Sequence, residues 1–132
     1  MLIADIATRN FLLDYDLSIR VCDFSEASVL PLGTAMEAVN DGGFSIQTDI
    51  GQLGAVMYEV VTGEHCGFDL FKHNAPDDGQ ATWPRRADLP GTEGVWLGAV
   101  IEKCWTMGGY QNAECLLQAL NEVDVGDMVQ FC

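Results

Sequence analysis

Positive charge is what this sequence has least of. Lys and Arg together number 6 against 20 Asp and Glu, a formal net charge of −14 over 132 residues. The imbalance is even: residues 1–66 carry ten acids and two bases, residues 67–132 ten and four. Such a chain repels a phosphate backbone, which argues against general nucleic-acid binding. With no polybasic segment it has no hold on an anionic membrane surface. No apolar run reaches the roughly eighteen residues of a membrane span. The opening MLIADIATRN has no basic n-region and reaches Asp5 at once, so a secretory leader is not expected. The cysteines, Cys22, Cys66, Cys104, Cys115 and Cys132, are odd in number, scattered, and contain no Cys-x-x-Cys pair. That excludes a zinc ribbon or a thioredoxin-type couple and predicts reduced thiols in an intracellular, cytoplasmic protein. His65, Cys66 and His73 match no common metal-site spacing.

What is present is apolar material. At 48% hydrophobic residues the chain has enough for a core, and its length suits one domain. Residues 10–13 and 19–22 are short β-prone runs joined by the polar Asp14–Ser18, which predicts a hairpin over 10–22. Residues 23–47 have no sustained period and carry breakers at Pro31, Gly33 and Asn40-Asp41-Gly42-Gly43. Thr48 is expected to cap a helix over 48–62, with Asp49 in its first turn and Gly63 as its stop. Its apolar residues, Ile50, Leu53, Ala55, Val56, Met57, Tyr58, Val60 and Val61, cover nearly the whole circumference, so it should be central and buried. Gly51 and Gly54 lower its propensity by roughly 1 kcal/mol each, which makes sense where another backbone packs closely. After an irregular stretch over 64–94, with a possible helical turn near Asp69–Lys72, Thr92 is expected to cap a second helix through Trp105. Asn112 is expected to cap a third carrying Leu116, Leu117 and Leu120. The fold class is mainly α with a small β part (α+β): a hairpin, a buried central helix, and two or three further helices within 95–123.

Three short patterns fall in order along this frame. Asp5-Ile6-Ala7-Thr8-Arg9-Asn10 has the spacing Asp-x-x-x-x-Asn, Asp23-Phe24-Ser25 follows the hairpin, and Asp49 opens the central helix. Each is weak alone; as caps and turn residues they would need no further explanation. Together they resemble the C-terminal lobe of a eukaryotic protein kinase over about residues 3–123. Residues 3–10 resemble the catalytic loop, 23–25 the Asp-Phe-Gly motif, 26–37 a short activation segment, and Cys104-Trp105 the pair ending a later lobe helix. The wording around 23–32 and 45–63 is most similar to short, divergent kinase-like proteins of filamentous fungi.

The resemblance implies roles. Asp5 would be the catalytic base and Arg9 would lie near the transferred phosphate. Asn10 and Asp23 would hold Mg²⁺ and, through it, ATP. Asp49 would be structural, bonding the catalytic-loop backbone, and Glu37 would be the structural acid of the Ala-Pro-Glu position. Phosphoryl transfer needs this equipment because it relies on positioning and charge neutralisation, and Mg²⁺ prefers oxygen ligands.

The departures are equally specific. Ile3 and Ala4 replace the loop's His and Arg, Ser25 replaces a glycine, and Ala35-Met36-Glu37 replaces Ala-Pro-Glu. No Arg follows Arg86 to pair with Glu37, and no Gly-x-Gly-x-x-Gly precedes the loop. The chain therefore reads as a single truncated kinase-like C-lobe lacking the nucleotide-binding lobe. Two functions remain open: a kinase fragment inactive alone, or a pseudokinase-type module acting through contacts, and with them two cofactor expectations, Mg²⁺-ATP as in the parent family or none. Either predicts a protein partner or self-association covering the central-helix face. Trp83-Pro84-Arg85-Arg86 is the one basic spot, either a dock for an acidic partner or a loop with Trp83 packed under its own chain. Tyr58, Tyr110 and Thr34 offer hydroxyls for phosphorylation, with nothing in the sequence to single one out.

Overall fold

The structure, a computed structural model, describes residues 1–75 and 78–123. Pro76 and Cys132 lie outside the described residues. A 3₁₀ turn at Thr8–Asn10 leads into a hairpin of β1 (Phe11–Leu13) and β2 (Ile19–Val21). A second 3₁₀ turn at Met36–Ala38 precedes α1 (Ile46–Thr62). A third, Arg86–Asp88, is followed by α2 (Gly98–Cys104) and α3 (Ala113–Asn121). The class is mainly α with a small antiparallel β part.

The hairpin pairs Phe11 with Val21, Leu12 with Arg20 and Leu13 with Ile19. Asp14 N–H donates to the Ser18 carbonyl (2.9 Å) and Leu17 N–H to that of Asp14 (2.8 Å). Leu17 takes φ +65°, the left-handed residue that closes a three-residue loop. Both strands are largely exposed, with Leu13 at 70% and Ile19 at 64%.

The central helix starts earlier than expected. Ser45, not Thr48, is the N-cap: its hydroxyl accepts from Thr48 N–H, and Thr48 Oγ1 accepts from Ser45 N–H (2.9 Å). This is a capping box with Thr in the returning position, so the hydroxyl expected to cap is the cap's partner. Gly63 closes α1 in the left-handed region at φ +73°. Two core clusters meet on the helix. Ala55 and Tyr58 pack with Phe68, Leu70, Leu89, Ile101 and Trp105; Ile50 packs with Cys104, Tyr110 and Leu116. The all-round burial expected of α1 fails in its last turn, where Val60 is 73% exposed.

The two helix glycines do admit close neighbours, but these are side chains and not a second backbone. A Cβ on Gly51 would stand 2.3 Å from Cζ of Phe68, and one on Gly54 would stand 2.8 Å from Cβ of Cys104. α2 is shorter than expected. Leu97 sits in the left-handed region (φ +64°), so the helix begins only at Gly98. Thr92 does not cap it; the Thr92 hydroxyl donates to Glu102 (3.0 Å). Asn112 does cap α3, accepting from Cys115 N–H at 2.9 Å. Near Asp69–Lys72 there is a single turn, with Asn74 N–H bonded to the Phe71 carbonyl (3.0 Å) and Phe71 N–H to Asp69 Oδ1.

Part of the basic spot is engaged within the fold, while Arg85 is exposed. Trp83 packs edge-on against Phe68 (centroids 5.1 Å apart), and Arg86 forks onto Glu102 at 2.8 and 2.7 Å. No helix among the described residues is long and apolar enough to cross a membrane.

Candidate functional site

An α-helix returns to the same face after three, seven and ten residues. In α1 that stripe is Asp49, Gln52, Val56 and Glu59, and its three polar members all reach the segment before the hairpin. Asp49 accepts from Ile3 N–H (Oδ2, 2.8 Å) and Ala4 N–H (Oδ1, 2.9 Å). Gln52 Oε1 accepts from Ile6 N–H at 3.0 Å, and Glu59 Oε2 accepts from the Thr8 hydroxyl at 2.7 Å. Residues 3–8 are thus laid along the helix by side chains. Leu2 anchors the start, exchanging two backbone bonds with Ser28 (2.9 and 3.0 Å).

Burial raises the Asp49 carboxyl above its usual range, against the two backbone N–H groups that favour its charged form. Burial acts in the same direction on Glu59. There it is outweighed by the Cys66 N–H, the Thr8 hydroxyl and His65, so Glu59 lies below its usual range. Ala4, between the Asp49 bonds and Asp5, is held at φ +67°. That conformation costs an L-residue roughly 1–2 kcal/mol.

Asp5 is the centre of a small polar knot. Arg9 reaches its Oδ1 at 2.6 Å. The Asn10 amide donates to the Asp5 carbonyl (3.0 Å) and to Oδ2 (3.2 Å). Asn10 is buried while Arg9 is exposed. The Asn10 carbonyl accepts from Cys22 N–H at 2.8 Å, which brings the end of β2, and with it Asp23, back to the start of β1. Asp5, Arg9 and Asn10 are therefore in direct contact, and Asp23 follows the residue bonded to Asn10.

In the Asp23-Phe24-Ser25 trio the left-handed residue is Asp23 (φ +62°), not Ser25. The left-handed backbone thus falls two residues before Ser25, on a residue type that tolerates it. The Ser25 hydroxyl and N–H both donate to Asp23 Oδ1, at 2.7 and 3.2 Å. These bonds hold the Asp23 carboxyl below its usual range, with a smaller contribution from Arg9.

Glu37 lies in the second 3₁₀ turn and meets Asn112, whose amide is 3.5 Å from Glu37 Oε1. The sequence showed that no Arg was available for Glu37; it did not show that an amide takes the facing place. The speculative His65, Cys66 and His73 set is dispersed by other bonds. His65 pairs with Glu59 (2.9 Å) and His73 with Asp88 (2.5 Å), and burial pushes the Cys66 thiol up to about 11. Among the described residues no three His, Cys, Asp or Glu side chains form a metal-binding group.

A cavity of about 670 Å³ opens between residues 4–9, the Gln52–Glu59 face of α1 and residues 65–71. Asp5 and Arg9 line it; Asn10 and Asp23 do not. Gln52, Glu59 and Thr8 are the site residues that reading the sequence missed. Gln52 and Glu59 share one face of α1 with Asp49, a spacing visible in the sequence, but only the course of residues 3–8 gives that face its role.

No family model matches the chain, and no solved structure matches it. The chain is similar to tyrosine-protein kinase JAK3 of Rattus norvegicus, 32% identical over an alignment of 74 positions that covers 44% of this chain. It spans 7% of that relative's length. The similarity supports a kinase-like relationship over part of the chain.

Proposed function

We propose that these residues form a protein-kinase-like lobe carrying the phosphoryl-transfer loop, without phosphotransferase activity when they act alone. The observation that carries this reading is the polar knot. Asp5, Arg9 and Asn10 are bonded to one another, Asp23 is drawn beside them by the Cys22–Asn10 bond, and Asp49 fixes the preceding backbone. In this reading Asp5 orients the attacking protein hydroxyl and accepts its proton, and Arg9 turns from Asp5 toward the phosphate.

The donor chemistry suits Mg²⁺. The Asn10 side-chain nitrogen is engaged by Asp5, leaving its side-chain Oδ1, and Ser25 occupies only Oδ1 of Asp23. Two hard oxygen ligands with water and phosphate oxygens are a usual Mg²⁺ set. When bound, the metal with ATP neutralises charge on the phosphates. Asn10 and Asp23 would hold it. The sequence offers no Gly-rich loop to clamp the nucleotide, which supports inactivity of these residues alone.

A second reading, a binding or regulatory module acting through protein contacts, is favoured by the apolar surface left open. Val60 on the central helix is 73% exposed, with Leu13 and Ile19 on the hairpin at 70% and 64%. A protein partner or a second copy would cover them. Thermal stability of the chain titrated with Mg²⁺-ATP separates the readings. A rise in melting temperature that is lost in Asp23→Ala supports the kinase-like lobe; no shift, with multimers by light scattering, supports the binding module and removes nucleotide binding by these residues alone.

A further inference from the structure

The hairpin tip presents a phenol that neither reading uses. Of the three tyrosines, Tyr58 and Tyr110 are buried at 6% and 5% exposure, while Tyr15 is 99% exposed. Tyr58 is packed against Trp105 (centroids 5.9 Å apart), and Tyr110 lies under Lys103, whose Nζ is 4.7 Å from the ring centroid. Tyr15 touches no such partner. It sits between Asp14 and Asp16, whose carboxylates are engaged within the hairpin: Asp14 Oδ1 to the Tyr15 N–H (2.8 Å) and Oδ2 3.8 Å from Arg20, Asp16 Oδ1 to the Ser18 N–H (2.9 Å) and hydroxyl (2.6 Å).

The tip also projects and opens easily. Leu13 and Leu17 flanking it are 70% and 77% exposed, and neither strand has more than three residues or a buried face. A two-stranded ribbon of that kind is marginal by itself. Its loop carries the added strain of Leu17 at φ +65°. Extending the segment into another enzyme's cleft therefore disturbs neither core cluster.

We propose that Tyr15 is a phosphorylation site for a protein-tyrosine kinase acting in trans, one whose substrate cleft is lined with cations that read Asp14 and Asp16. The phenolic oxygen attacks the γ-phosphorus of a nucleoside triphosphate. A new P–O bond forms to the tyrosine, the bond to the β-phosphate oxygen breaks, the nucleoside diphosphate leaves, and the phenolic proton passes to the kinase's base. The product places a dianion between two carboxylates, with Arg20 (3.8 Å from Asp14) the nearest paired cation on the hairpin.

The test is incubation of the full chain with Mg²⁺-ATP and a tyrosine kinase of acidic substrate preference, followed by peptide mass spectrometry. One phosphoryl group on Tyr15 is expected, removable by a tyrosine phosphatase and absent in Tyr15→Phe. Asp14→Asn with Asp16→Asn keeps the local acceptors but removes both charges. It should slow incorporation about tenfold, the lower end of electrostatic steering. No incorporation, or label on Tyr58 or Tyr110 that persists in Tyr15→Phe, overturns the site. An unchanged rate in the double variant overturns recognition through the flanking acids. Tyr15 is used here as an acceptor only, so a failed nucleotide titration leaves this result standing.

Discussion

Replacing Asp49 with Ala removes the acceptor of two backbone N–H groups, those of Ile3 and Ala4, which are held at 2.8 and 2.9 Å. Ala4 is 7% exposed, so its freed N–H has little access to water. Each unsatisfied donor costs about 1–3 kcal/mol, and loss of an acid from the first helical turn adds about 0.5 kcal/mol. Relaxation of the left-handed Ala4 returns roughly 1 kcal/mol. The expected net loss is about 1.5–5.5 kcal/mol. A chain of this size is stable by about 7–20 kcal/mol, so the variant still folds. Urea unfolding followed by tryptophan fluorescence measures the difference, with an unchanged m-value as the sign that the native fold persists. Asp49→Asn keeps one acceptor and should lose about half as much. A loss below about 1 kcal/mol for Asp49→Ala, or an Asn variant as damaged as the Ala variant, refutes the view that this carboxylate holds the loop.

Gly51→Ala and Gly54→Ala should both destabilise, although Ala is the better helix former. The new Cβ meets Phe68 at 2.3 Å or Cys104 at 2.8 Å, and overpacking of roughly 1–3 kcal/mol exceeds a propensity gain of about 1 kcal/mol. Calorimetry should show lower melting temperatures, by about 5 °C. Asn112→Ala should lose about 1 kcal/mol with its cap, whereas Asn112→Asp keeps the cap and repels Glu37. Chemical denaturation ranks the two, with the Asp variant intermediate. In acid, Glu59 and Glu102 both titrate below the ordinary 4.5 in the folded chain. Their stabilisation is present above pH 4.5 and is lost as pH falls through their folded values. Asp49, raised above 3.8, acts in the opposite sense: folding favours its protonated form, and its contribution is lost as pH rises. Melting temperature should fall on acidification below about pH 4.5, and Glu59→Gln should flatten that fall.

The hairpin and the cap of α3 were legible because each depends on neighbouring residues. Asp14–Ser18 is a turn whatever surrounds it, and Asn112 stands immediately before its apolar stripe. The start of α1 was misplaced by three residues because Ser45 and Thr48 are both favourable cap types in isolation. The reciprocal bond decides between them, since Thr48 occupies the third helical position only if Ser45 precedes the first. The beginning of α2 was hidden by Leu97, a residue type that gives no warning of a left-handed backbone. At the site, the motif residues were readable as a series, whereas their supports were not. Gln52 and Glu59 looked like the ordinary polar residues of a helix, and their role follows from where residues 3–8 run. The arrangement of Arg86 on Glu102 was likewise set by distant segments, which a local basic run cannot report.

The stripe on α1 also works as a set of spacers. The contact at the helix start is made by the shortest acid, Asp49, and the later two by the longer Gln52 and Glu59. The span bridged by each side chain therefore sets how far residues 3–8 stand off the helix, and the cavity lies alongside the two longer spacers. Shortening one of them by a single methylene, as in Gln52→Asn or Glu59→Asp, withdraws its oxygen by about 1.5 Å. The loop must then follow it inward, narrowing the cavity, or let go. The width of this opening is thus a property of side-chain length at positions 52 and 59, adjustable without touching Asp5, Arg9, Asn10 or Asp23.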